Sequence, residues 1–433
     1  MNRFLMPYLV DWKNSHRRKP VIINGARQVG KTWLLKEFGA HYFENVAYVN
    51  FDNNVTMNML FDDGYDISRL LMGIQAETGE RIVEGKTLVI FDEIQECPKA
   101  LTSLKYFREQ SPNLMIAAAG SLLGPAVHHG TGYPVGNVTT FNLYPLSFRE
   151  FLDATGNLTL RELLDTNDKD TISVFSSKMI PLLRQYYFTG GMPEAVLAFV
   201  DSGVLADARI VQNQIIEDYR RDISKHLTAV ETEHVLAVLD SIPAHLGQEN
   251  KKFVFGHIKK GARARDYRTA ITWLTEAGIV LPVRRISKPG IPLSAYTDES
   301  SFKLYMLDIG LLGAMAGLDS SSVIGGSKIF VEFKGALTEQ YACQQLISDC
   351  GLQPFYWSAD NSHGEVDFLV QVENQIYPIE VKAEENLRAK SLRAFNEKYG
   401  GMKPRRFSLS GYREESWMSN VPLFAIGSRQ SWI

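Results

Sequence analysis

The run Gly25-Ala26-Arg27-Gln28-Val29-Gly30-Lys31-Thr32 has the spacing G-x-x-x-x-G-K-[ST], which suits phosphate chemistry. Glycines at those positions let backbone N–H groups turn inward around an anion, and a helix starting at the end of the run adds positive potential there. Lys31 is suited to bridge terminal phosphate oxygens and Thr32 to ligate Mg²⁺; with Trp33, the next residue, the whole run is read as the cradle of ATP or ADP. A second stretch, LVIFDEIQ, ends its apolar part on Asp92 and Glu93. Asp92 is placed to reach the Mg²⁺ shell and Glu93 to polarise an attacking water. An isolated Asp-Glu would do no more than favour a helix start. Beside the glycine run, the two acids complete a hydrolytic set in which Lys31, Glu93 and Ser121 are the catalytic candidates. Ser121 follows Gly120 at a strand end, where it could sense the terminal phosphate or the water, or simply make a turn.

These side chains need a frame that brings strand ends together. Apolar, β-branched runs at PVIIN (20–24), NVAYVNF (45–51), TLVIFD (87–92), LMIAAAG (114–120) and VTTFNLY (138–144) read as strands, with helical patterns such as TWLLKEFG and KALTSLKYFREQ between them. Strands that are apolar on both faces and alternate with helices imply a parallel sheet covered on each side. A short amphipathic helix is expected over 3–15. From 147 to about 225 the pattern is all helical. Helices near 231–245 and 266–277 then precede strand-like IVLPVRRI and FKLYMLD, the order of a winged helix-turn-helix. A helix over 333–350 leads into strands PFYW, EVDFLVQV and QIYPIEVKA. No repeat period or low-complexity tract is present.

The 433 residues exceed one small domain, and a composition of 45% hydrophobic and 22% charged residues is that of a chain folded throughout. With 46 basic against 49 acidic residues the formal net charge is -3, so nucleic-acid binding would have to come from a local patch. Cys97, Cys343 and Cys350 fit no metal-ligand spacing, and their odd number suits a reducing, cytoplasmic compartment. The N-terminal residues do not read as a signal peptide, and no apolar run approaches the ~18 residues of a membrane span. His128-His129 has no acid or cysteine ligand nearby in sequence, which argues against a metal there.

The local patch lies in KKFVFGHIKKGARARDYR (251–268), where Lys251, Lys252, Lys259, Lys260, Arg263, Arg265 and Arg268 face one acid, Asp266. If Asp266 caps the following helix, the cluster sits at the end that enters a DNA groove, with Arg284, Arg285 and Lys288 extending it along the wing. A solvated face or a protein contact is the alternative. In the last hundred residues Asp367 (GEVDFLV) and Glu380-Val381-Lys382 (PIEVKA) lie on two strands joined by a tight turn. Residues two apart on a strand share a face, so Glu380 and Lys382 point the same way, Asp367 approaches from the neighbouring strand, and Glu339 on the preceding helix could join them. This set resembles the PD-(D/E)XK nuclease core, which implies a second divalent ion, Mg²⁺ or Mn²⁺. A cross-strand Glu/Lys pair is the commonplace alternative.

Taken together, INGARQVGKT, LVIFDEIQ, GSLLG, LYPLSFREFL (143–152), TGGMPEAV (189–196) and KLYMLDIGLL (303–312) resemble the bacterial and archaeal P-loop ATPases of the AAA+ superfamily, near its signal-transducing branch, that carry a C-terminal domain of unknown function. The resemblance implies an α/β chain: a parallel-sheet P-loop ATPase core over 1–150, a helical lid or linker over 151–228, a winged helix over 229–325 and a restriction-endonuclease-like domain over 326–433. In related ATPases a G-x-P turn lies against adenine, which by analogy points to Gly191, Met192 and Pro193; a helix start with Pro in its first turn is the plainer reading. Many relatives carry Gly-Arg before the fifth strand, where this chain has Gly136-Asn137. The superfamily usually completes its site with an arginine from a neighbouring subunit, which implies a homo-oligomer. The expected function is Mg²⁺-dependent ATP hydrolysis coupled to a winged helix and a nuclease-like domain acting on DNA. The alternative is a nucleotide-dependent switch or scaffold whose nuclease-like domain is inactive.

Overall fold

A computed structural model describes residues 1–121, 134–321, 331–359, 364–383 and 389–433. The chain divides into two compact units: Asn2–Tyr144 with Glu276–Ile279, and Met1 with Pro145–Thr275 and Val280–Ile433.

In the first unit β1 (Val21–Asn24), β2 (Asn45–Asn50), β3 (Thr87–Asp92), β4 (Met115–Gly120) and β5 (Thr139–Asn142) form one sheet in the order β2-β3-β4-β1-β5. Every pairing is parallel, as the alternation of apolar runs and helices implies. β3 and β4 are buried at all six positions, because helices cover both faces of a parallel sheet. The helices Lys31–Tyr42 and Pro98–Gln110 fall in the expected connections. Two further helices, Val55–Asp62 and Ile67–Thr78, fill the connection from β2 to β3. Each is started by an acceptor side chain, Asn54 to the Met57 N–H and Asp66 to the Arg69 N–H. Phe51, Phe61 and Phe91 close the core between them edge to face, with ring centroids 5.5 to 5.7 Å apart. Parallel strands end on one edge of their sheet, so the ends of β1, β3 and β4 deliver the glycine run, Asp92 and Ser121 to the same side.

In the second unit helices follow one another from Phe148 to His226. The first is opened by a reciprocal cap between Ser147 and Glu150. Helices Ala229–Leu246 and Ala264–Glu276 then precede the antiparallel pair β6 (Val280–Ile286) and β7 (Thr297–Met306). The helix Val331–Ser348 leads into β8 (Phe355–Ser358), β9 (Glu365–Val372) and β10 (Gln375–Val381), followed by β11 (Arg405–Ser408), β12 (Arg413–Glu414) and β13 (Ser419–Pro422). All of β6 to β13 belong to one sheet, ordered β12-β13-β11-β10-β9-β8-β6-β7. β6 joins it through a parallel pairing with β8, Arg284 opposite Phe355 and Arg285 opposite Tyr356. Strands on either side of residue 325 therefore share a sheet. Periodicity identifies which face of a strand is buried but not which distant strand lies beside it.

The three cysteines are free and buried. Among the described residues no helix is long and apolar enough to cross a membrane. His128 and His129 lie outside the described residues.

Candidate functional site

The chain leaves β1 at Asn24 and turns through residues 25–30 before the helix Lys31–Tyr42 begins. Gly30, the residue before that helix, has φ 94°, a left-handed conformation that a Cβ disfavours. At Gly25 a Cβ would lie 2.3 Å from the Leu143 carbonyl oxygen, so no larger residue fits. Arg3, buried, donates to the carbonyls of Val29 at 2.9 Å and Tyr144 at 2.6 Å and clamps the loop from behind. Lys31 folds back over the loop, its ammonium donating to the carbonyls of Gly25 at 2.9 Å and Ala26 at 2.7 Å. Trp33, in the first helical turn, is 40% exposed.

Asp92 closes β3 and is almost fully buried. Its Oδ2 accepts from the Thr32 hydroxyl at 2.8 Å and from the Tyr48 hydroxyl at 2.7 Å, and its Oδ1 accepts from the Glu93 N–H at 3.1 Å. Glu93 sits at φ 49° in the left-handed region, a strain of roughly 1 kcal/mol or more that the surroundings must hold in place. Its Oε2 accepts from the Gln95 amide at 2.5 Å and, more loosely, from the Ser121 hydroxyl at 3.4 Å; Ser121 in turn accepts from Arg27 Nε at 3.4 Å. Thr32, Asp92, Glu93 and Ser121, drawn from the first turn of a helix and two strand ends, thus stand in one hydrogen-bonded group. The Thr32 and Asp92 oxygens, in direct contact, suit a hard cation such as Mg²⁺. At Gly136-Asn137, Arg108 donates to the Gly136 carbonyl at 2.9 Å and to Asn137 Oδ1 at 2.6 Å, so a guanidinium stands beside that turn.

Tyr48, Gln95 and Arg3 were not foreseen. Gln95 could have been, since it stands two residues after Glu93 in the same motif. Tyr48 is a candidate only once β2 and β3 are known to be neighbours.

Gly191, Met192 and Pro193 lie in the other unit. The Gly191 N–H donates to Asp308 Oδ2 at 2.6 Å, its carbonyl accepts from the Leu146 N–H at 2.6 Å, and Met192 is fully buried. Pro193 starts the helix Pro193–Ser202. Asp308, fully buried, also accepts from the Leu311 N–H at 3.0 Å and from Gln344 at 3.3 Å. Burial raises its pKa against the pull of these donors.

The C-terminal acids line a cleft of about 760 Å³ in the second unit. Glu380, near the end of β10, pairs at 2.5 Å with Lys382, the residue just beyond that strand. Asp367 on β9 reaches β10, where its Oδ2 accepts from the Val381 N–H at 2.7 Å. Burial pushes the Asp367 pKa well up, with the Glu339 and Glu380 charges adding to it. Burial also raises Glu380, opposed by Lys382; its Oε2 and the Tyr356 hydroxyl, both at the cleft, have no hydrogen-bond partner among the described residues. Glu339 departs from expectation. Its Oε1 meets Lys251 at 2.5 Å, while its Oε2 lies 3.7 Å from Lys303 and accepts from the Tyr305 hydroxyl at 3.2 Å. Burial works to raise Glu339, but Lys251 and Lys303 prevail and its pKa is lowered. Lys303, with no exposed surface, also pairs with Glu365. Burial works against its charge, but Glu339 and Glu365 raise its pKa. Both Glu339 oxygens are thus engaged, and among the described residues no group of three or more His, Cys, Asp or Glu side chains is assembled to hold a metal. The arrangement does not fit the second divalent ion expected here, because lysines supply the positive charge.

The basic cluster is also redistributed. Lys259, Lys260, Arg263, Arg265 and Arg268 are exposed, but Lys251 is drawn to Glu339. Asp266 lies inside the first turn of its helix rather than capping it, 3.4 Å from Arg265. Arg284 pairs with Glu299 at 3.0 Å and Arg285 with Asp298 at 3.4 Å, both across the β6/β7 hairpin, and Lys288 covers the Tyr296 ring. These acids satisfy the arginines that were expected to extend a phosphate-contacting wing.

The parallel sheet, the glycine loop before its helix and the acids at the end of β3 define a P-loop nucleotide hydrolase. Residues 17–152 match a family model described as an AAA domain, and this part of the chain is an ATPase domain of the P-loop type. Residues 180–322 and 334–421 match two models described as domains of unknown function, DUF8612 and DUF4143. Comparison with curated proteins finds no match. Among solved structures the chain is similar to a Walker-type ATPase of Pyrococcus abyssi, at 14% identity over 73% of this chain and 95% of that one, TM-score 0.45. It is also similar to the Orc1 protein of Aeropyrum pernix in complex with DNA (14% identity, 72% and 90% covered, TM-score 0.27). A third is the RuvB Holliday junction branch migration motor of Thermotoga maritima (14%, 63% and 84%, 0.28). Likenesses this distant add nothing to the assignment, which rests on the family match and the geometry of the loop.

Proposed function

We propose that the chain hydrolyses MgATP in the cradle of residues 25–33 with Asp92, Glu93 and Ser121, and uses the nucleotide state to move a winged helix and a nuclease-like α/β domain on DNA. The observation that carries the reading is the 2.8 Å contact of Thr32 with Asp92 beside Glu93. Thr32 and Asp92 would hold Mg²⁺, whose charge would offset that of the phosphates. Lys31, leaving the carbonyls of Gly25 and Ala26, neutralises the terminal phosphate oxygens. Glu93 orients the water and accepts its proton. Gln95 must first release the Glu93 oxygen that it holds. Ser121, beside that oxygen, reports whether the terminal phosphate is present. The division at 150, 228 and 325 is retained as a functional one. At the turn of Gly191, Met192 and Pro193, the candidate adenine contact, the amide, the carbonyl and the buried Met192 side chain are engaged within their own unit.

DNA enters through the exposed Lys259, Lys260, Arg263, Arg265 and Arg268, with phosphate contact as the mode. The test measures ATP turnover with and without DNA, and DNA cleavage, on one preparation. Lys31→Ala is expected to abolish nucleotide binding and turnover. Replacing Arg263, Arg265 and Arg268 by Gln is expected to lower the salt slope of DNA binding by about one for each phosphate no longer neutralised. Turnover surviving Lys31→Ala sinks the hydrolytic reading; a salt slope unmoved by the triple change sinks the DNA contact. A second reading, a nucleotide-dependent switch or scaffold that cuts nothing, is favoured by the lysines seated on Glu339. Absence of Mg²⁺- or Mn²⁺-dependent cleavage would support it.

A further inference from the structure

Asp92 has one donor that the glycine-loop pattern does not account for. Tyr48 lies on β2 opposite Ile90 of β3, and its hydroxyl donates to the same Asp92 oxygen that accepts from Thr32, at 2.7 and 2.8 Å respectively. The ring has a contact of its own. Lys36 stands one helical turn after Thr32 and sets its ammonium 4.0 Å from the ring centroid, close enough for a cation–π attraction. A phenol hydroxyl is a donor as well as an acceptor, and facing a carboxylate oxygen, which can only accept, it donates. The Thr32 bond to Asp92 is of another kind. The Thr32 hydroxyl can donate its proton to Asp92 and still offer an oxygen lone pair to a cation, whereas Tyr48 only holds the carboxylate.

We infer that Tyr48 is a positioning residue for ATP hydrolysis, keeping the Asp92 carboxylate aimed at the seat that Asp92 and Thr32 would offer Mg²⁺. The inference rests on the reading of Thr32 and Asp92 as that seat. In this reading Tyr48 acts only through Asp92. Its effect should therefore appear in the Mg²⁺ requirement rather than in nucleotide affinity.

The test is Tyr48→Phe in the full chain, which keeps the ring and its contact with Lys36 and removes only the hydroxyl. ATP turnover is measured against Mg²⁺ concentration at saturating nucleotide, and nucleotide binding is measured calorimetrically in excess chelator. The expected result is a rise of about tenfold in the Mg²⁺ concentration for half-maximal turnover, the size of removing one hydrogen bond to a charged acceptor. Maximal turnover should stay within about threefold, and metal-free nucleotide binding should not change. Tyr48→Leu, which also removes the ring, should match Tyr48→Phe in its Mg²⁺ requirement. Asp92→Asn separates the possible failures. If Asp92→Asn raises the Mg²⁺ requirement and Tyr48→Phe does not, the role given to Tyr48 is wrong and the seat stands. If neither raises it, the seat is wrong as well. Equal loss of nucleotide binding with and without Mg²⁺ in Tyr48→Phe would overturn the inference in favour of a purely structural tyrosine.

Discussion

The nucleotide cradle and the C-terminal cleft are built from the same residue types, lysines beside paired carboxylates, yet they treat those carboxylates differently. Around Asp92 and Glu93 the donors are hydroxyls and amides, from Thr32, Tyr48, Ser121 and Gln95. Around Glu339, Glu365 and Glu380 they are mainly ammonium groups, from Lys251, Lys303 and Lys382, joined by the Tyr305 hydroxyl on Glu339. A neutral donor orients a carboxylate and leaves its charge for an incoming cation, whereas an ammonium in direct contact cancels it. Residue type and spacing therefore nominate a site, but the charge of the donors around its acids decides whether it still wants a metal.

The largest expected effect breaks the cradle at its base. Glu93→Gln keeps the shape of the side chain and removes its basicity, so ATP should still bind while turnover falls by about 10² to 10⁴, as steady-state rates and calorimetry on the same variant would show. Full turnover would mean that Glu93 is merely structural.

A smaller effect is expected on the other side of the comparison. Lys303→Met removes the fully buried cation paired with two acids of the cleft and leaves Glu339 and Glu365 with less counter-charge. Unfolding free energy in urea should drop by about 3 to 5 kcal/mol, the usual cost of breaking a buried pair. Adding Glu339→Gln should recover a good part of it. If the single change costs nothing, the cleft is not held by its own lysines and the contrast with the cradle collapses.

The smallest effect concerns a carboxylate in between. Asp349 is buried 3.1 Å from Arg149, a cationic partner, yet burial raises its pKa to about 7. A raised folded-state pKa means that the native chain holds the proton more tightly than the unfolded one. The stability from this group is therefore complete below the ordinary value of 3.8 and is lost as pH rises through about 7. The slope contributed is at most about 1.4 kcal/mol per pH unit. Asp349→Asn should flatten the stability profile in that window, read as urea midpoints at about pH 5 and about pH 8. A profile that keeps its slope would show that Arg149 outweighs burial.

The cradle was largely legible because its parts are local. A strand, a glycine turn and a helix start are contiguous, and the acids of LVIFDEIQ stand at the end of a run whose burial is evident from composition. The E-x-K pair was legible for the same reason, since residues two apart on a strand must share a face. The arginines of IVLPVRRI were misjudged as a free basic surface because their partners, Asp298 and Glu299, stand on β7, and the register that brings them together depends on the whole hairpin. Glu339 was misjudged for a like reason: Lys251 is 88 residues away along the chain.

By itself the sequence determined what each short segment can do, because hydrogen-bond geometry and side-chain periodicity act within a few residues: a loop able to wrap a phosphate, an acid pair at a strand end, and a Glu and a Lys side by side. Only the tertiary structure decided which charges meet. It aimed Tyr48 at Asp92, turned Gln95 onto Glu93 and seated two lysines on Glu339, because the strength of an ion pair or hydrogen bond depends on a distance through space that separation along the chain does not set.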